Sequence, residues 1–545
     1  MLANKFTQRC SRLLAATALV MSLGLLAACE SLPKNISDLP FIGKVGGAVQ
    51  NPASPLAPPV ARAWPDPVQD VLNQRARGFG LVNAPEMQRY LAGLYARIKT
   101  QAGVPGWPGG VHILANNALD AYATGAGNIY ISLPWLTSVE SEDELVALLS
   151  HEFGHIYLHY HELEGAVADA DTTTGFLGLG IAVVKKTGQA TGWTQVDSLF
   201  AAYTLGRGLV TTLYSRSQES AADNFSLHIC LKLGYSYEHG IKAFLERMAS
   251  WEETNEKRQK SNQDLMLKAI RQQSMDSAMK AASPQPSNQS FARSTGELGG
   301  NINSALQQLG FEINKLSSKV RSDHPETAER IDAMAVAIEP FPDIQASKPA
   351  ITRPLKSALQ DRRTAAIVKN YAFAFKALAA PKDPDALDWA KSATAAPTAA
   401  HAVPLFALYT VMNEQPAAAA RQRIEPGQVL EANFNSEPDR AWKTYQERST
   451  RLKEGRQTVA AKKVMDAGLA YFRNAEEAWP DAIRFYGETQ GWDEAKRMAQ
   501  DCGKNFRRVA VRCTHAASSP AEQAEAARKS KAKADQIIEK LTKKK

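Results

Sequence analysis

The chain has 545 residues, 44% of them apolar and 22% charged, with a formal net charge of +8 at pH 7. This is a globular composition with room for two or three domains. No stretch after residue 30 is long and apolar enough to predict a membrane span. The positive charge is weak and scattered, which argues against nucleic-acid binding.

The first 28 residues have the pattern of a secretory signal peptide, because three basic residues precede an almost uncharged apolar run. The run ends in Leu-Ala-Ala-Cys, which resembles a bacterial lipobox. That resemblance implies cleavage before Cys29 and acylation of this cysteine. Glu30 stands where an inner-membrane retention signal usually has Asp. We therefore expect a lipid anchor in the outer membrane, with the protein facing the periplasm.

Cleavage would leave a formal charge of about +5 and three cysteines besides Cys29. These three would lie in an oxidising compartment. Cys502 and Cys513 could pair across a short loop, whereas Cys230, in an apolar helical context, is expected to be buried and free. The sequence leaves this pairing open.

A tether and two short strands are predicted next. Residues 29–66 are rich in Pro, Gly and Ser, so we expect an extended, poorly ordered segment that holds a domain away from the membrane. Residues 111–114 and 127–131 are apolar and β-branched, and Pro134 closes the second run. They are predicted strands.

The segment that begins at Ser141 is predicted to be a helix. Ser141 and Glu144 form a capping box, and three consecutive acids in the first turn suit the positive end of the helix dipole. Apolar residues then recur at helical spacing up to Ile156. The histidine-rich stretch that contains His151 and His155 therefore lies on a helix.

The remainder of the chain is predicted to be mainly helical. A second long helix is expected over residues 205–233, ended by Gly234, and residues 255–320 form a polar insertion or lid. From residue 355 onward the chain is Ala-rich and helical. Residues 486–502 are loosely similar to a tetratricopeptide helix pair, although no clean repeat of roughly 34 residues is present.

His151, Glu152 and His155 form the pattern His-Glu-x-x-His. Residues four apart on a helix differ by about 400° of rotation, so both imidazoles can face one metal ion. Glu152 lies about 100° round from His151 and can act on a water molecule without being a ligand. The pattern predicts a zinc hydrolase.

Two residues compete as the third protein ligand of a tetrahedral zinc. His161 stands ten residues after His151, a spacing that requires a helix-breaking glycine where this chain has Leu158. If the helix continues through Leu158, His161 lies about 240° round from His155 and about 9 Å further along the axis. His161 could not then reach the same ion.

The other candidate is Glu219, with Asp223 four residues later on the same helical face. A Glu ligand followed by an Asp one turn later fits a gluzincin. In this arrangement the Glu binds the ion, and the Asp accepts the second ring N–H of a metal histidine. We predict Glu219 as the ligand and Asp223 as that acceptor.

Together these motifs resemble the HtpX-like and BepA-like zinc metallopeptidases, metallopeptidase family forty-eight. The similarity rests on residues 143–145, 151–155 and 215–223, on the strand with Gly127, Asn128 and Ile129, and on the triplet Asp323-His324-Pro325. It covers roughly residues 80–340. It implies one zinc ion per chain, bound by His151, His155 and Glu219.

The predicted fold class is mainly α with a small β-sheet. An α+β gluzincin-type domain over residues 67–345 would be followed by an all-α region over residues 355–545. The resemblance implies peptide-bond hydrolysis, with Glu152 as the general base. Gly127, Asn128 and Ile129 would hold the substrate backbone by edge pairing. His324 would stabilise the oxyanion or cap the zinc in a resting state.

Two functions are compatible with this reading. The first is a lipid-anchored zinc endopeptidase that acts on unfolded or misassembled envelope proteins. The second is an envelope lipoprotein whose C-terminal helices bind protein partners, with only latent peptidase activity. The substitution Glu152→Gln discriminates between them.

Overall fold

The computed structural model describes residues 56–59, 61–117, 119–158, 216–253, 327–345, 348–417, 420, 425–523 and 525. These residues are mainly helical with one small sheet, which confirms the prediction of a mainly α fold with a small β-sheet. The similarity of residues 486–502 to a tetratricopeptide helix pair stays a prediction. None of the described helices has the length and apolar composition of a membrane span. The predictions for the signal peptide, Cys29, the insertion at 255–320 and His324 lie outside the described residues.

The first half of the chain contains the sheet and the helices around it. In chain order the elements are α1 (Pro67–Ala76), α2 (Pro85–Gln101), β1 (Val111–Leu114), β2 (Ala121–Ala123), β3 (Ile129–Ser132), α3 (Leu133–Ser138), α4 (Glu142–Tyr157) and α5 (Arg216–Lys232). A π-helical turn, Glu238–Lys242, leads into helical residues 243–253. Two helices follow, α6 (Thr327–Ile338) and α7 (Pro342–Gln345).

The sheet has three strands in the order β1-β3-β2. β1 runs parallel to β3, with Val111 opposite Ile129, and β2 runs antiparallel to it, with Ala121 opposite Ile131. Both predicted strands are present. β2 was not predicted, because three residues are too few for an alternating pattern to be recognised.

α4 and α5 pack against each other through the core next to the sheet. Phe153 of α4 contacts Phe225 of α5 at 5.9 Å between ring centroids. Gly154 allows the close approach, because a Cβ built there would lie 3.2 Å from the Cα of Ala222. α5 ends as predicted before Gly234, which has a φ of +85°. The part of the predicted helix at 205–215 is not among the described residues.

The second half is helical throughout its described parts. Its α-helices are α8 (Arg353–Gln360), α9 (Arg362–Ala379), α10 (Ala386–Ala393), α11 (Ala402–Glu414), α12 (Pro426–Val429), α13 (Glu431–Phe434), α14 (Trp442–Glu454), α15 (Thr458–Tyr471), α16 (Trp479–Gln490), α17 (Trp492–Asn505) and α18 (Ala510–Ala516). The helices up to Met412 contribute to one hydrophobic core with the sheet, and three smaller hydrophobic clusters are also present among the described residues.

Cys502 and Cys513 form a disulfide that joins α17 to α18. Cys230 is free and buried, as expected. The pairing that the sequence left open is thereby resolved.

α1 connects the sheet to the C-terminal helices. Oδ2 of Asp70 accepts hydrogen bonds from Thr124, Asn128 and Tyr130. On the C-terminal side, Arg75 donates to the carbonyl oxygen of Arg440 at 2.7 Å. α1 therefore adds polar contacts between the sheet and the C-terminal helices to the hydrophobic core that the two halves share.

The end of the predicted tether packs against the folded domain. The carbonyl oxygen of Ala57 accepts a hydrogen bond from the hydroxyl of Tyr157, at the end of α4. Arg62 lies over the ring of Trp64, which in turn contacts Trp107. These residues are thus part of the fold rather than of a free linker.

Candidate metal centre

The first turn of α4 is held by a set of buried acids. Ser141 caps the helix, because its hydroxyl accepts a hydrogen bond from the amide of Glu144, as the capping box predicts. The carboxylate of Glu142 accepts from Tyr90, Arg97 and Tyr235. These contacts fix the direction of α4 and thereby the position of the histidines two turns further along.

Three metal-ligand side chains meet where α4 faces α5. Nε2 of His151 and Nε2 of His155 are 3.3 Å apart. Oε2 of Glu219 lies 3.5 Å from the first nitrogen, and Oε1 lies 3.6 Å from the second. All three residues are at most 2% exposed.

This donor set fits a zinc ion. Ligand atoms at 2.0–2.1 Å from a tetrahedral zinc are separated from one another by about 3.3–3.5 Å. The observed separations of 3.3, 3.5 and 3.6 Å have this size. In addition, both buried oxygens of Glu219 accept no hydrogen bond from the described residues. Two imidazoles and one carboxylate are one of the common sets of protein ligands for a catalytic zinc.

Asp223 and Arg330 lie behind the ligands. Oδ1 of Asp223 is 2.9 Å from Nδ1 of His151. Arg330 in α6 donates two hydrogen bonds to the same carboxylate, at 2.7 and 2.8 Å. Although burial opposes it, this guanidinium lowers the pKa of Asp223, so the carboxylate is ionised.

The two histidines differ in their protonation in the absence of metal. Burial lowers the pKa of His155 to about 3, so that its ring is neutral and able to bind a cation. Burial also acts on His151, but the neighbouring carboxylates of Asp223 and Glu219 outweigh it and raise the pKa of this histidine to about 9. A proton on Nδ1 directed at Asp223 leaves Nε2 facing Glu219 and His155.

Glu152 lies on α4 between the two histidines and is 8% exposed. Burial raises the pKa of its carboxyl group to about 7. A carboxyl group with this pKa can both take up and release a proton near neutral pH. The burial and the raised pKa of Glu152 are therefore compatible with the predicted general base.

The predicted substrate strand requires a correction. Ile129 is in β3, the central strand, so both of its edges are already paired. Asn128 is 1% exposed and donates to Asp70, and the carbonyl oxygen of Gly127 accepts from Tyr95. Gly127, Asn128 and Ile129 are thus built into the fold, and the prediction that they hold a substrate by edge pairing is wrong.

The end of α4 bears on the choice between His161 and Glu219 as the third ligand. α4 ends at Tyr157 with Leu158 as its C-cap, so the helix does not run on through Leu158 as supposed. His159 and His161 lie beyond the described residues. The choice of Glu219 therefore rests on its position next to His151 and His155, and not on the continuity of α4.

Arg330 was missed in the sequence. A signal was present, because Arg330 lies in the buried stripe of α6 with Thr327, Met334 and Ala337. An arginine at such a position needs a buried anion as partner. The sequence does not say which acid that partner is.

Residues 85–337 match the sequence model of Peptidase family M48. The match covers a little under half of the chain and extends from α2 into α6, so it contains His151, Glu152, His155, Glu219 and Arg330. No curated protein sequence matches the chain significantly. Residues 85–337 are accordingly similar to this metallopeptidase family, whose members depend on zinc, and the match supports a metallopeptidase.

Proposed function

We propose that this protein is a lipid-anchored zinc endopeptidase that cleaves unfolded or misassembled envelope proteins at the periplasmic face of the outer membrane. The observation that carries the proposal is the buried group of His151, His155 and Glu219, whose ligand atoms lie within 4.8 Å of one another beside Glu152. His324 lies outside the described residues, and its proposed role is still to stabilise the oxyanion or to cap the zinc in a resting state.

The residues divide the work of hydrolysis. His151, His155 and Glu219 would hold zinc, which, when bound, lowers the pKa of water and polarises the scissile carbonyl. Glu152 takes the proton from the attacking water and delivers it to the nitrogen of the leaving amine. Asp223 keeps the ring of His151 in the tautomer that directs Nε2 toward the ion.

β2 replaces β3 as the proposed substrate strand. Within the described residues, only one edge of β2 is paired, whereas β3 is paired on both sides and the outer side of β1 forms a bridge from Leu114 to Leu81. β2 also packs against α4. An extended peptide could therefore add to the outer edge of β2, the strand that packs against the helix of Glu152.

Glu152→Gln tests the activity, because it keeps the shape of the side chain and removes the base. We expect cleavage of casein to fall by about 10²–10⁴-fold while zinc stays bound. A wild-type rate would refute the proposed role of Glu152. If the variant has no activity yet fully replaces the wild type in cells, the protein acts as a binding scaffold instead.

The proposed location depends on Cys29. The disulfide between Cys502 and Cys513 supports an oxidising compartment such as the periplasm. Cys29→Ser is expected to abolish labelling by radioactive palmitate and to release the protein from the membrane fraction. Continued labelling of this variant would refute the lipid anchor.

A further inference from the structure

Arg330 is a buried cation that faces two acids of α5. Its side chain is 4% exposed. Nε lies 2.8 Å from Oδ2 of Asp223, and Nη2 lies 2.7 Å from Oδ1, so the planar guanidinium binds this carboxylate in a bidentate fork. Nη1 is 3.3 Å from Oε2 of Glu219. One guanidinium, with a single positive charge, therefore faces two buried carboxylates.

The two carboxylates receive different contacts from it. Both oxygens of Asp223 accept hydrogen bonds from the fork, and Oδ1 also lies next to Nδ1 of His151. The oxygens of Glu219 are stabilised by the nearby charge, but no described residue donates a hydrogen bond to them. The lone pairs of Asp223 are thus occupied, whereas those of Glu219 remain available to a cation.

We infer that Arg330 is a positioning residue of the metal centre. Its fork fixes Asp223 as the acceptor for His151, and thereby leaves Glu219 as the acid that binds the metal. Lysine could not replace it, because an ammonium group lacks the planar pair of donors that holds a carboxylate in one orientation. The inference rests on the proposed zinc site, and Arg330 itself does not touch the ion.

A zinc titration of Arg330→Lys tests this role without relying on activity. Competition with a chromophoric chelator would give the zinc dissociation constant in a Glu152→Gln background. We expect Arg330→Lys to weaken zinc binding about 10–100-fold, the usual effect of removing an outer partner of a metal ligand. Arg497→Lys, at an arginine that is 73% exposed, is the matched control and should bind zinc as tightly as the parent.

A double-mutant cycle tests whether Arg330 acts through Asp223. Asp223→Asn combined with Arg330→Lys should bind zinc no more weakly than Asp223→Asn alone. Fully additive losses would contradict the inference, as would wild-type zinc affinity in Arg330→Lys. If the parent protein itself binds no zinc, the proposed function fails instead, so the two failures are distinguishable.

A second variant covers a folding failure of Arg330→Lys. Arg330→Gln keeps an amide donor for Asp223 but removes both the charge and the fork. Weakened zinc binding by the folded Gln variant supports the inference. Parental affinity in that variant overturns it.

Discussion

The first turn of α4 and the middle of the same helix both contain buried carboxylates, but these are used differently. The three first-turn acids, Glu142, Asp143 and Glu144, are at most 4% exposed. Each accepts a hydrogen bond, from Tyr235, the amide of Ser236 and Arg247 respectively. Glu219, which faces the middle of α4, is 2% exposed and accepts none from the described residues. A buried acid with satisfied oxygens stabilises the fold, whereas one with free lone pairs is a candidate ligand.

The largest expected effect separates these two kinds of acid. Glu219→Gln should weaken zinc binding by more than about 100-fold, because an amide replaces a ligand and not merely an outer partner. Glu142→Gln should leave zinc binding intact but lower the free energy of unfolding by about 1–3 kcal/mol, because the charge that three donors share is lost. Zinc titration and urea unfolding of both variants check this. Equal zinc affinities would break the comparison.

The disulfide lies far along the chain from either group of acids and should affect stability alone. Replacing both Cys502 and Cys513 by Ser reopens a short loop and should lower the free energy of unfolding by about 2–3 kcal/mol. Urea denaturation measures this, and zinc stoichiometry serves as the control. A loss of zinc in the folded double variant would show that the C-terminal helices support the metal centre.

Gly154→Ala tests whether the contact between α4 and α5 holds Glu219 in place as a candidate ligand. The new methyl group would lie 3.2 Å from the Cα of Ala222, so α5 must shift by a few tenths of an ångström, and Glu219 shifts with it relative to the histidines. We expect a loss of about 1–3 kcal/mol in unfolding free energy together with weaker zinc binding.

Gly93→Ala is the matched control for that substitution, because nothing lies within 4 Å of a Cβ at this exposed position of α2. It should leave zinc binding unchanged and slightly raise stability, since alanine is the better helix former. Calorimetry and zinc titration of both variants decide the matter. Unchanged zinc affinity in Gly154→Ala would contradict the role assigned to this helix contact.

The smallest effect concerns a satisfied acid in the C-terminal half. Burial opposes the charge of Glu477, but Arg77 and Arg512 outweigh it and lower the pKa to about 2. Because this pKa is below the ordinary value of 4.5, the ionised group stabilises the fold above about pH 4.5, and the contribution is lost as the pH falls toward 2.

Glu477→Gln should therefore make the free energy of unfolding depend less on pH below about pH 4.5. The expected loss at neutral pH is about 1–2 kcal/mol, since the two arginines are partly exposed to solvent. Thermal unfolding between pH 2 and 7 measures it. A variant with the same acid dependence as the wild type would show that Glu477 contributes nothing to it.

Local patterns in the sequence were sufficient for much of the site. The cap at Ser141 and the spacing of His151 and His155 depend on residues within one helix, so both could be predicted. Glu219 could also be proposed, because Asp223 follows it at helical spacing. The donors to the first-turn acids could not be predicted, because residues such as Tyr235 and Ile351 are distant from α4 along the chain.

The wrong assignment of the substrate strand and the failure to recognise Arg330 both arise from long-range packing. β3 has a strand pattern, but whether a strand is central or at an edge depends on partners elsewhere, and β2 is too short to be recognised. Arg330 is an isolated arginine in an amphipathic helix until its acid partners are known. The sequence pattern therefore located the candidate ligands and Asp223, whereas Arg330 and the donors to the first-turn acids became visible only in three dimensions.

The most direct test of the central claim is the metal content of purified Glu219→Ala and His161→Ala beside the wild type. Mass spectrometry of the metals should find one zinc per chain in the wild type and in His161→Ala, and none in Glu219→Ala. Zinc retained by Glu219→Ala but lost from His161→Ala would contradict the assignment of Glu219 as the third ligand.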